Sequence, residues 1–321
     1  MTSLKQKIKE LKPNLKDSSV NLYLTNLKKI YREIECEGRK ESICNFNNLN
    51  FLDNYERVMQ SLADENVNTK KNRLIAIVVS LQASDGDKKL IEKYTKEMID
   101  LANQSNEQYK KQEKSQKQVD NWINYEDLVR LANNMLGRLK KHSILTKEEL
   151  TRAEYNLLQE VVLLRFYLNF PLRNDLADVK VISDKSEDDK VNNFLLVNGD
   201  NISLILNDYK TAKTFGPQEY NLDKKFSKIV RIFLKHNTSG FFITKTNRTE
   251  AITPNGITKL LNRLFKREVD KTISTSMIRH ITATYDRKND KTLAELEALK
   301  AKIQKKYLHS DDTNQLYRKI N

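Results

Sequence analysis

The sequence predicts a two-domain α+β protein, mainly α with a small antiparallel β-sheet. Apolar residues recur at helical spacing through the first third of the chain and again beyond residue 223. After Arg173 the pattern changes to the alternation of short strands. Residues 108–118 have almost no apolar anchor. At 321 residues the chain exceeds one average domain. The boundary is placed in the polar stretch, giving a helical domain at 1–115 and a second domain at 116–321.

Within residues 18–35, Val20, Tyr23, Leu24, Leu27, Ile30, Tyr31 and Ile34 recur at helical spacing, with lysines on the wet side and Asp17 or Ser18 available as N-cap. Less regular patterns predict helices over 51–63 and 70–82, and a longer one over 88–110. No internal repeat of fixed period is found. Beyond the polar stretch, Asn121-Trp122-Ile123-Asn124-Tyr125-Glu126 restores apolar content, and Asn124 is placed to cap a helix through Met135. A second long helix, over 146–167, turns Leu150, Tyr155, Leu158, Val161, Val162 and Leu164 toward a core. Runs at 179–182, 193–197 and 202–206 read as strands, with Asn198-Gly199-Asp200-Asn201 as the turn between the last two. Gly216-Pro217 precedes a fourth strand at 218–222. Helices return over 223–235, over 253–268 with Thr253 as cap and Pro254 in the first helical position, and over 274–288 and 292–306.

Lys and Arg outnumber Asp and Glu by 57 to 43, a formal charge of +14. Such a surplus favours a polyanionic partner: nucleic acid, an acidic membrane surface or an acidic protein. No apolar run of about 20 residues is present to span a bilayer. Met1-Thr2-Ser3-Leu4-Lys5-Gln6-Lys7 lacks the apolar core of a signal peptide, so an intracellular protein is expected. Cys36 and Cys44 are too few for a disulfide framework and point to a reducing compartment. His142, His236, His280 and His309 have no cysteine or carboxylate partners at ligand spacing, so no metal is expected.

Five residues stand in informative local strings. Arg173 lies in Pro171-Leu172-Arg173-Asn174-Asp175, after an apolar run, and Lys210 in Asp208-Tyr209-Lys210-Thr211-Ala212-Lys213, after an alternating one. Arg279 lies in Ser276-Met277-Ile278-Arg279-His280, His309 in Leu308-His309-Ser310-Asp311-Asp312-Thr313, and Tyr317 in Leu316-Tyr317-Arg318-Lys319. Each type is common in this chain and alone says little. Together and in this order they resemble the active site of the tyrosine recombinase (integrase) family, whose order is Arg, Lys, His-x-x-Arg, His or Trp, Tyr. The resemblance runs from about Arg173 to the C-terminus. It implies a C-shaped clamp, in which a helical core-binding domain and a catalytic domain hold double-stranded DNA from opposite sides. It also implies a homo-tetramer on paired sites and strand exchange through a 3′-phosphotyrosine, with no cofactor. The Pro-Leu-Arg-Asn-Asp form and the Lys/Asn-rich composition further resemble recombinases of large DNA viruses or of mobile elements in protists.

The chemistry suits the residue types. A phenolic oxygen can store phosphodiester energy in a covalent bond; with a free pKa of about 10, Tyr317 must lose its proton in a positive field. Two guanidinium forks, Arg173 and Arg279, can hold both non-bridging oxygens of a phosphate. A lone arginine reads first as an ion-pair residue, and Asp175 or Asp178 is a local partner for Arg173. A lysine on a β-turn can protonate the leaving 5′ oxygen; Lys210 is favoured, with Lys213 as rival. By the same resemblance His309 contacts the scissile phosphate or moves the tyrosine proton, and His280 braces the site. Ser276 departs from the pattern, which has His or Lys there; a hydroxyl can donate to phosphate but carries no charge. Ser274, Thr275 or Ser276 can equally cap the Arg279 helix. Tyr285 and Tyr307 read as packing residues.

In 253–268, Ile257, Leu260, Leu261, Leu264 and Phe265 form a core face, leaving Lys259, Arg263, Lys266 and Arg267 either as candidates for DNA contact or as a solvated basic face. Many relatives continue past the tyrosine with a helix that packs into a neighbouring subunit; with four residues after Tyr317, linkage is expected through another segment or the Tyr317 segment itself. Three functions stay open: a site-specific recombinase or integrase, a type IB topoisomerase, and a DNA-binding protein that keeps the fold without the reaction.

Overall fold

The computed structural model describes residues 3–36, 45–110, 113–287 and 301–307. The chain divides into two compact units, Met1–Lys111 and Gln112–Asn321.

Unit 1 is helical: α1 (Leu4–Leu11), α2 (Asp17–Glu35), α3 (Tyr55–Ser61), α4 (Val67–Ala83) and α5 (Lys88–Lys110). Its core gathers Leu27, Ile30, Leu52, Val58, Leu62, Leu74, Ile77 and Tyr94. The expected cap of α2 is displaced: Lys16 is the N-cap, and Asp17 instead pairs with Lys5 (3.2 Å) and Lys9 (2.8 Å) of α1. Residues 51–63 are not one helix. A 3-10 turn, Asn50–Leu52, precedes α3 because the Asn54 carboxamide caps α3 through the Arg57 N–H (3.1 Å). Cys36 is the C-cap residue of α2, and Cys44 lies outside the described residues.

Unit 2 contains α6 (Gln116–Asn121), α7 (Tyr125–Lys141), α8 (Arg152–Asn169), β1 (Lys180–Ile182), β2 (Phe194–Asn198), β3 (Asn201–Leu206), α9 (Ala212–Phe215), β4 (Gln218–Asn221), α10 (Lys224–His236), α11 (Pro254–Val269) and α12 (Thr275–Asp286); residues 301–307 are also helical. α8 starts later than expected because Thr151 and Glu154 form a reciprocal capping box. α7, α10, α11 and α12 all pack against α8, whose Tyr155, Leu158, Val161, Val162, Leu163, Leu164 and Phe166 are fully buried. Residues 158–164 of α8 are buried without a break, which places that stretch at the centre of unit 2.

The sheet, of order β1-β2-β3-β4, is mixed rather than antiparallel. β2–β3 and β3–β4 are antiparallel, but β1 pairs parallel with β2 in the register Lys180↔Phe194 to Ile182↔Leu196. Residues 183–193 turn the chain back through a 3-10 turn at Lys185–Glu187, capped by Asp184, and a left-handed residue at Lys190 (φ 61°). β1 and β2 therefore leave in the same direction, a feature that strand alternation alone does not encode. Among the described residues no helix is long and apolar enough to cross a membrane.

One buried polar clamp joins α8 to the loop after α10. Gln159, 4% exposed, accepts from the Thr244 backbone N–H (3.0 Å) and hydroxyl (3.1 Å) and donates to the Thr244 carbonyl (3.2 Å). Gln159→Leu, close in volume, should cost about 1–3 kcal/mol per orphaned buried group in chemical denaturation. An unchanged midpoint would show that these bonds add nothing to unit 2.

Candidate active site around Asp175

α8 ends where its sequence forces it to. Phe170 is the C-cap, and Pro171 can continue neither the hydrogen-bond ladder nor the helical backbone of the residue before it. Arg173 follows on a loop whose backbone is held at both polar groups. The Tyr167 hydroxyl donates to the Arg173 carbonyl (3.0 Å), and the Arg173 N–H donates to the Asp175 carboxylate (3.1 Å).

The next residue ties this loop to two helices. Asn174 accepts from the Thr275 hydroxyl (2.8 Å) at the start of α12 and donates to Thr258 Oγ1 (3.2 Å) on α11. Thr275 and Arg279 lie four residues apart on one helix, hence on one face. The Asn174 bond to Thr275 therefore turns the Arg279 face of α12 toward the Arg173 loop. Arg279 is 3% exposed. Both arginines act on a single carboxyl. Burial pushes Asp175 above the usual carboxylate range, while Arg173 and then Arg279 pull the other way. The fully buried Tyr167 hydroxyl is driven well above its ordinary value by burial and then by Asp175, with Arg279 opposing.

Lys210 stands in the β3–β4 connection, and a third element thereby joins the cluster. Asn193 accepts from the Asn207 and Asp208 N–H groups (2.9 Å each) and donates to the carbonyls of Asp208 (2.8 Å) and Asp175 (3.4 Å). One carboxamide thus ties the base of the Lys210 connection to the Arg173 loop. The connection is braced at its other side by the buried Tyr209, whose hydroxyl donates to Gly216 O (2.6 Å). Gly216 has φ 66°, a conformation open to glycine at little cost. Burial raises the Tyr209 pKa, and Asp175 adds to the rise. Lys210 precedes α9 and Lys213 lies on it; both side chains are exposed, and among the described residues neither forms an ion pair.

Ser274, not Ser276, caps α12, accepting from the Met277 N–H (3.4 Å). Ser276 is exposed on the first turn, and His280, beside Arg279, is partly buried. His309 and Tyr317 lie outside the described residues. The helical residues before them are anchored: the Tyr307 hydroxyl (2.8 Å) and Lys306 Nζ (2.9 Å) both reach Asp286 Oδ2 on α12, and the Tyr220 hydroxyl donates to Lys305 O (2.6 Å). Tyr307 is 1% exposed, and its pKa is pushed well above the ordinary value by burial and then by Asp286. Those are the properties of a packing residue. Tyr285 stacks on Tyr125 with centroids 4.2 Å apart.

The four α11 candidates separate. Lys259 and Arg263 are exposed, and among the described residues neither is in an ion pair. Lys266 pairs with Asp270 (2.5 Å). The Arg267 guanidinium grips the buried Glu160 carboxylate with two bonds (3.2 and 2.6 Å) and also meets Glu268 (2.9 Å), which commits it to the fold. Sequence reading missed Tyr167, Asn193, Thr258 and Asp286. A polar residue with no local capping role was the available signal for Asn193, which directly precedes β2.

No family model matches the sequence, and no curated protein matches it. Among solved structures, a XerA recombinase aligns over 99% of this chain and 93% of its own, with a TM-score of 0.40 and 12% identity. That is a distant likeness, and it does not bear on which residues act.

A carboxyl with a raised folded pKa holds its proton more tightly in the folded state. Its contribution to stability is present below 3.8 and lost as pH rises through the raised value. Asp175→Asn keeps an acceptor for the Arg173 N–H but cannot ionise. Its melting temperature relative to the parent chain should rise as pH is taken from below 3.8 toward neutrality. A difference independent of pH would mean that Asp175 is not held in this strained state.

Proposed function

We propose that the chain is a site-specific tyrosine recombinase that cuts and rejoins double-stranded DNA. The observation that supports this most is that Asn174 joins the Arg173 loop to the start of the Arg279 helix and Asn193 ties the Lys210 connection to the same loop, while the charges of both arginines, from distant parts of the sequence, bear on Asp175. Two guanidinium groups whose charges bear on one carboxyl would suit a phosphate, whose two non-bridging oxygens can each accept from a planar fork.

In this reading Tyr317 Oη attacks the scissile phosphorus, the P–O5′ bond breaks, and the protein is left joined to the 3′ end. Lys210 gives the departing 5′ oxygen its proton, with Lys213 as the substitute donor. Arg173 and Arg279 hold the charge that builds on the phosphate oxygens. His309 contacts the phosphate or relays the tyrosine proton, while Ser276 donates without adding charge. A 5′ hydroxyl from the partner strand then attacks the phosphotyrosine and releases Tyr317. Each bond broken is replaced by one of the same kind, so the exchange draws on no ATP, metal or organic cofactor. The helical unit 1 serves as the core-binding domain, unit 2 is the catalytic domain, and four copies act on two paired sites. Lys259 and Arg263 are the α11 residues offered for DNA contact.

The test uses nicked duplexes drawn from the DNA flanking the gene and a denaturing gel. The parent chain should give a covalent protein–DNA band that Tyr317→Phe abolishes. Arg173→Ala and Arg279→Ala should each slow its appearance by about 10²–10³-fold, as for loss of one oxyanion donor. No band with any flanking duplex, or a band undiminished in Tyr317→Phe, would leave a DNA-binding protein without this reaction.

A further inference from the structure

α10 carries Lys224, Lys225, Lys228, Arg231 and Lys235, and no acidic residue. Its other face, Phe226, Ile229, Val230 and Phe233, is buried, and the helix packs against α8 and β3. Lys224, Lys228, Arg231 and Lys235 follow the i, i+4, i+7, i+11 spacing that draws one straight line along a helix, here about 16 Å long. The lysines are exposed, and among the described residues none of them is in an ion pair. Arg231 is half-buried and anchored, donating to Gly199 O (3.0 Å) and to the Asp200 carboxylate. Like charges three and four residues apart repel, so the row costs the helix stability, and among the described residues only Arg231 offsets this with an ion pair.

The row is not part of the Asp175 cluster. Gly199 and Asp200 form the β2–β3 turn, whereas Lys210 follows the opposite end of β3. Exposed positions in the row contain no aromatic or large apolar side chain. A protein interface has a desolvated apolar centre, and a membrane-surface helix inserts apolar groups. A row of flexible point charges with neither suits a regular line of phosphates, which duplex DNA supplies at one charge per about 1.7 Å of axis.

We infer that the α10 row binds the sugar–phosphate backbone of duplex DNA, at a surface separate from the Arg173–Arg279 site. This rests on DNA being the partner and is independent of the phosphotyrosine chemistry. Contact is sequence-neutral, and each phosphate engaged releases counterions on binding.

The measurement is the salt dependence of affinity for a random-sequence duplex, using full-length chain carrying Tyr317→Phe so that no cleavage intervenes. Lys224→Gln/Lys228→Gln/Lys235→Gln is compared with Lys140→Gln/Lys141→Gln/Lys245→Gln, which removes the same charge elsewhere in unit 2. The slope of log affinity against log salt should fall in magnitude by about 2–3 in the α10 variant, close to 0.9 for each phosphate no longer engaged, and by clearly less in the control. Equal changes in the two variants would overturn the inference. So would duplex binding that is unaffected while binding to polyglutamate is lost, an outcome that assigns the row to an acidic protein. Row-dependent duplex binding by a chain that forms no covalent band would sink the recombinase chemistry and keep the row. A covalent band with a row-independent slope would do the reverse.

Discussion

Asp175 is the group on which the site depends. Two guanidinium groups brought together repel, and burial strengthens that repulsion by removing water. The Asp175 carboxyl, which feels both charges, offsets it, at the cost of being held where its own charge is poorly solvated. The raised pKa of Asp175 records the balance: desolvation outweighs the combined pull of Arg173 and Arg279. The same residue carries the local architecture, since its carboxylate fixes the Arg173 backbone and its carbonyl accepts from Asn193.

Around that node, each element is held by one or two polar bonds. Asn174 joins the Arg173 loop to α11 and α12, Asn193 joins it to the Lys210 connection, and Asp286 joins α12 to the helical residues ending at Tyr307. The scaffold beneath is apolar packing: the middle of α8 is buried and four helices pack against it. A packed core carrying polar stitches at one end sets the Arg173 loop against α12, which bears Arg279.

Much of the fold was legible because it is written locally. The helical runs, the Thr253 cap with Pro254, and the polar break after α5 depend on residues within one or two turns of each other. The parallel pairing of β1 was hidden, because it depends on where residues 183–193 send the chain rather than on strand pattern. Arg267 shows the same limit: its spacing places it off the core face, yet Glu160, on another helix, captures it. At the site, the order of the residues suggested the two arginines, and Asp175 stood out only as an ion-pair partner for the nearer one. That the charge of Arg279 also bears on it depends on contacts between distant segments, through Asn174 and Thr275, which no local string records.

In the proposed reaction the two arginines serve one phosphate by meeting its negative charge, so removing that charge from the DNA should remove the need for one of them. The measurement is cleavage by Arg279→Ala of a duplex whose scissile phosphate has a non-bridging oxygen replaced by methyl, compared with cleavage of the native linkage. Recovery of most of the roughly 10²–10³-fold deficit on the neutral linkage is the predicted result. An equal deficit on both linkages would contradict the assignment of Arg279 to the phosphate charge, and with it the site built around Asp175.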